Sequence, residues 1–146
     1  MRRPRTAGRK RVVAVNKRQP KRQYPEFGIQ VTLASLLRQY YPDVLWFAVP
    51  NGGRRKVQDA KRFKDMGVRA GVFDIFVSEV TPIYPGFYVE IKAPNGSLSQ
   101  AQKDFQAMAE ARGYLCRSTT SALEGLWFIE EYLGIPRHER VVSTVT

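Results

Sequence analysis

Apolar positions along the chain change their period several times, and each change predicts an element. Phe27, Val31, Leu33, Ala34, Leu36 and Leu37 recur at helical spacing, which predicts a helix over 25–40. Pro25 suits its first turn, and Pro42-Asp43 ends it. The continuous apolar run 44–49 predicts a buried strand, followed by the loop Pro50-Asn-Gly-Gly53. Residues 56–66 read as a short polar helix stopped by Gly67. Two runs rich in β-branched and aromatic residues, 71–78 and 86–93, predict strands joined by a turn with two prolines. A helix is expected over 99–112 with Phe105, Met108 and Ala109 on its inner face, then a strand over 114–118. A last helix over 120–133 places Leu123, Trp127 and Phe128 toward the core and stops at Gly134 and Pro136. The order is helix, strand, short helix, strand, strand, helix, strand, helix. It predicts an α/β fold with a small mixed sheet flanked by helices.

The 146 residues are enough for one domain with a real core. Charge changes the picture more than size does. The 24 Lys and Arg outweigh 13 Asp and Glu, giving a net +11. Residues 1–23 hold ten of those cations and no acid, with few apolar residues and no helical period. They read as a disordered basic arm, whose natural partner is a polyanion such as nucleic acid. Arg9, Lys10 and Arg11 are its densest run. The domain organisation expected is therefore the arm at 1–23, a folded domain at 24–136 and a tail at 137–146. A second basic cluster, net +5, spans residues 54–69 inside the folded part. Its surroundings carry net negative charge, so the surface is polarised and can orient a charged ligand.

Composition also excludes function classes. No run approaches the roughly 18 apolar residues that a membrane span needs. The single Cys116 allows no intrachain disulfide and no cysteine-rich zinc site, and reads as a small core residue. The single His138 leaves no room for a histidine-rich metal site; it is expected to lie exposed and idle in the tail. Any metal must be held by oxygen.

Oxygen ligands stand where strands should be apolar. In the strand containing Tyr88-Val-Glu90-Ile-Lys92, side chains alternate, so Glu90 and Lys92 share a face about 6–7 Å apart along the strand. Asp74 is a lone acid within the preceding apolar strand, where β-propensity disfavours it. The short turn makes the strands hairpin neighbours, and the sheet can then gather Asp74, Glu90 and Lys92. A structural ion-pair cluster is one reading. A second is a metal-dependent phosphodiesterase: two carboxylates suit Mg²⁺, and a lysine can assist an attacking water or neutralise developing charge. Asn51, Arg54 and Arg55 are loop residues able to approach phosphates. Gln102 follows Ser99 in capping-box spacing, so it caps a helix, contacts the site, or both.

These residues resemble a known family. Pro50-Asn-Gly-Gly-Arg54, Gly67-Val-Arg-Ala-Gly-Val-Phe-Asp74, Val89-Glu-Ile-Lys-Ala-Pro94 and Leu98-Ser99-x-x-Gln102 look like the VRR-NUC branch of the PD-(D/E)XK nucleases, from Glu26 to Leu133. The chain departs at Phe73, where the family usually has proline. The resemblance implies a restriction-endonuclease-like α-β-β-β-α-β core and Mg²⁺- or Mn²⁺-dependent hydrolysis of DNA phosphodiesters. It makes Asp74, Glu90 and the Ile91 carbonyl metal ligands, with Glu26 as a candidate for the same shell. Lys92 becomes the residue that positions and activates water, and Gln102 a contact of the site. It further implies a homodimeric, Holliday-junction-resolvase-like endonuclease acting on branched DNA in a bacterial or phage-infected cytoplasm. The competing functions are a non-catalytic nucleic-acid-binding module and a basic packaging protein.

Overall fold

A computed structural model describes residues 25–50 and 57–138 of the chain. The order is α1 (Pro25–Tyr40), β1 (Trp46–Ala48), α2 (Val57–Asp65), β2 (Ile75–Val77), β3 (Phe87–Ile91), α3 (Gln100–Ala111), β4 (Leu115–Thr119) and α4 (Ala122–Leu133). This is the predicted order, with the core of a restriction-endonuclease-like fold inside it. The strands lie side by side as β1-β2-β3-β4. β1 and β2 pair antiparallel, as do β2 and β3, while β3 and β4 run parallel across the α3 connection. The sheet is therefore mixed and small.

Alternation along β2 and β3 sorts side chains to two faces. Ile75, Val77, Phe87, Val89 and Ile91 point to one face and meet Leu33 and Leu37 of α1 and Leu126 and Ile129 of α4. All are at most 1% exposed, and burying each large aliphatic side chain stabilises by roughly 1.5–3 kcal/mol. On the opposite face a smaller cluster of Phe73, Ala109 and Cys116 is packed by Tyr88, Leu98, Phe105 and Tyr114 beneath α3. Cys116 is thus a core residue, and burial pushes its thiol up to about 12.

Several expected details are corrected. Phe27 and Val31 are exposed, because α1 turns its Ile29, Leu33, Leu36 and Leu37 side to the core. Met108 likewise lies outside the buried set of α3. On α4 the deepest residues are Leu126 and Ile129, with Leu123, Trp127 and Phe128 half-buried around them. His138 is not idle. Its ring lies 3.9 Å from that of Tyr40, and Nδ1 is 3.0 Å from the Tyr41 hydroxyl. That hydroxyl donates to the fully buried Glu130 carboxylate at 2.6 Å, which also accepts from the His138 backbone N–H. A buried carboxylate needs such partners, and they fold the chain after α4 back onto α1. Among the described residues, no helix is long and apolar enough to cross a membrane.

Candidate active site

The site grows from the end of the β2–β3 ladder. Ile75 pairs with Val89, so one step further along the antiparallel register Asp74 faces Glu90. β2 begins after Asp74, whose side chain enters the ladder. Oδ2 accepts the Ile91 N–H at 2.8 Å, while the Asp74 carbonyl accepts the Val49 N–H at 2.7 Å. Asp74 is held at both ends and its position is fixed by neighbouring strands. The loop before it is forced close to α3. Gly71 has φ +82°, and a Cβ there would lie 2.2 Å from the Ala101 carbonyl oxygen, so only glycine lets the loop pass.

Glu90 and Lys92 project from β3 on the same face, as alternation requires. Lys92 Nζ lies 3.1 Å from Glu90 Oε1, and the Lys92 backbone N–H donates to the Thr119 carbonyl on β4. Gln102 does both tasks open to it. Its Oε1 accepts the Ser99 N–H, which closes a capping box at the start of α3, and its Nε2 donates to Glu90 Oε1 at 2.5 Å. The helix N-terminus is thereby locked to the carboxylate. Glu26, in the first turn of α1, accepts the Ala93 N–H at 3.1 Å, and its charge acts on Asp74. The structure therefore brings Asp74, Glu90, Ile91, Lys92, Gln102 and Glu26 together, drawn from three elements and two loops. The Thr119 and Ala93 backbone contacts had no signal in the sequence, since any residue supplies them. Asn51, Arg54, Arg55, Arg9, Lys10 and Arg11 lie outside the described residues.

The electrostatics are those of a site built around negative charge. Glu90 is 2% exposed. Burial, followed by the nearby Asp74 charge, pushes its carboxyl up to about 7 against the pull of Lys92. Burial likewise raises Asp74, opposed first by the Ile91 N–H. Glu90 Oε2 is buried and has no hydrogen-bond partner among the described residues. Such an orphan costs free energy unless something outside the chain pairs with it. Among the described residues no group of three or more His, Cys, Asp or Glu side chains forms a metal cage. Mg²⁺, however, is usually held by one or two carboxylates with water completing the shell. A pair of raised carboxyls, one with a vacant oxygen, fits that demand.

No family model matches this chain, and no curated protein matches it. Among solved structures, a VRR_NUC domain protein aligns with a TM-score of 0.63 at 24% sequence identity, covering 79% of this chain and 93% of that one. The two share a fold over most of their lengths.

Proposed function

We propose that the chain is a divalent-metal-dependent nuclease of the VRR-NUC type that hydrolyses DNA phosphodiester bonds. The observation that carries this reading is the buried Glu90 carboxylate beside Asp74 and Lys92, whose Oε2 has no hydrogen-bond partner among the described residues. A purely structural ion pair leaves that oxygen without a purpose, whereas a cation-binding pair uses it. Sharing a fold with a VRR_NUC domain protein supports the same reading.

Asp74 and Glu90 are the residues to hold Mg²⁺ or Mn²⁺, with the Ile91 main-chain carbonyl and Glu26 as further candidates. The bound cation would polarise the phosphate and lower the pKa of water. Asp74 is preset for this by its bonds to Ile91 and Val49. Gln102 fixes the Glu90 carboxylate at Oε1 and makes no bond to the buried Oε2. Lys92 is mostly buried and fastened through its backbone to β4, so its ammonium can orient water and offset charge developing on the phosphate. The arm at residues 1–23 and the loop residues Asn51, Arg54 and Arg55 supply sequence-independent phosphate contacts. A homodimer acting on branched DNA is the finer form of this proposal, because an isologous dimer matches the two-fold symmetry of a four-way junction.

The test is cleavage of linear, nicked and four-way-junction DNA by the full chain. Cutting is expected in Mg²⁺ or Mn²⁺, DNA binding with little cutting in Ca²⁺, and none in excess chelator. Junction binding without cutting under every metal condition favours the non-catalytic module instead.

A further inference from the structure

The sheet face that carries Asp74 and Glu90 continues into a row of aromatic rings. Phe76 and Tyr88 are register partners on the same side of the sheet as the carboxylates, Phe76 two residues after Asp74 and Tyr88 two before Glu90, which is about 6–7 Å along the strands. Phe47 of β1 pairs with Phe76 in register, and their rings meet at 5.5 Å. Phe76 stacks at 4.5 Å on Tyr88, and Tyr114 closes the row at 5.5 Å from Tyr88. α3 covers Tyr88 through Phe105, but Phe47 on the edge strand is 49% exposed. The fold makes room for this row. Gly86 lies under the Phe76 ring, and a Cβ there would come within 2.6 Å of it. A 150 Å³ cavity opens between Tyr88, Tyr114 and α3, with Arg69 and Arg112 on its wall. Both guanidinium groups are fastened to Met108, Arg69 to the sulfur and Arg112 to the carbonyl.

We infer that this arginine-edged aromatic row is a stacking shelf for an unpaired nucleotide next to the bond being cut. An exposed ring continuous with half-buried ones is a rigid apolar surface that stacks any base without reading its identity, and the cationic rim matches the phosphates that join the bases. A second copy of this chain would bring the same aromatic row but, with a net charge of +11, no polyanion for the arginine rim. The inference rests on the nucleic-acid part of the proposed function. It assigns the enzyme a preference for strands that are frayed, single-stranded or splayed at a junction, set by the sheet itself and independent of the basic arm.

The experiment compares the full chain with Phe47→Ala and Phe47→Trp in Ca²⁺. Binding is measured to a 2-aminopurine-labelled single strand and to the duplex of the same sequence. Phe47→Ala is expected to weaken single-strand binding roughly 5- to 100-fold, to reduce the stacking quench of 2-aminopurine, and to leave duplex binding within about twofold. Phe47→Trp is expected to retain both the affinity and the quench. Equal losses on both DNAs, or no loss on either, overturn the shelf. So does sedimentation showing that Phe47→Ala turns a dimer into a monomer, since the face is then a self-interface. Cleavage is scored separately in Mg²⁺. Strand discrimination through Phe47 without any cleavage supports the shelf and refutes the nuclease; cleavage without discrimination does the reverse.

Discussion

Glu90→Gln should make the metal-free protein more stable while removing its activity. The wild-type carboxyl rises from its ordinary 4.5 to about 7, chiefly through burial and then through the Asp74 charge. A folded-state pKa above the unfolded one means that the fold prefers the protonated form. That contribution is present in full below about 4.5 and is lost as pH climbs through about 7. The interval corresponds to on the order of 3 kcal/mol at pH 8. Glutamine imitates the protonated carboxyl, keeps its volume and can still meet Gln102, so the variant escapes the loss. A gain of about 1–3 kcal/mol in a chain of this size is a rise of roughly 3–10 °C in Tm. The assay is thermal unfolding in chelator from pH 4.5 to 8.5. The two curves should meet near pH 4.5 and separate as pH rises. Adding Mg²⁺ at pH 8 should raise the wild-type Tm more than that of the variant, because the cation binds the ionised pair. A Glu90→Gln protein equal to or below wild type at pH 8 without metal refutes the idea that this carboxylate is held at the expense of stability.

Other changes test the scaffold around the site. Gln102→Ala breaks both the capping box and the Glu90 contact and should cost about 0.5–2 kcal/mol in denaturant unfolding; Gln102→Glu should restore the cap yet lose stability as pH rises, because it sets a third carboxylate against Glu90. Gly71→Ala combines a positive φ with a backbone collision and should destabilise by on the order of 3 kcal/mol or more, seen as loss of soluble folded protein. Deleting residues 1–23 should flatten the log–log salt dependence of duplex binding by about five units if six of its cations contact phosphates, while single-turnover cleavage at saturating protein persists. An unchanged slope would mean that the arm does not touch DNA.

The parts of the fold legible in the sequence were those with a strong period or a chemical anomaly. Pro25 and the apolar spacing marked α1, and Ser99 with Gln102 marked the start of α3 as its capping box. Asp74, Glu90 and Lys92 stood out because charge inside an apolar strand is costly, and strand alternation put them on one face. Period alone did not reveal which apolar residues are used. Phe27 and Val31 fit the helical spacing, yet α1 meets the core through Ile29, Leu33, Leu36 and Leu37 and leaves those two exposed. The ends of β2 were also hidden, since Asp74 replaces a backbone partner with its side chain, a contact set by tertiary position. The pairing of Glu130 with His138 was hidden for a related reason. One is an ordinary helix acid and the other a tail residue until the chain folds back and pairs them. Backbone contacts such as Thr119 to Lys92 have no side-chain signature at all.

The most direct test of the central claim is single-turnover cleavage of junction DNA by wild type and Lys92→Ala across a Mg²⁺ titration, with Mg²⁺ binding followed in parallel by calorimetry. Wild type should cut only with the metal. Lys92→Ala should still bind Mg²⁺, through Asp74 and Glu90, yet lose cleavage by several orders of magnitude, because the lysine acts on water and phosphate rather than on the cation. Cleavage by folded Lys92→Ala at the wild-type rate, or wild-type cleavage that survives complete chelation, would contradict the account.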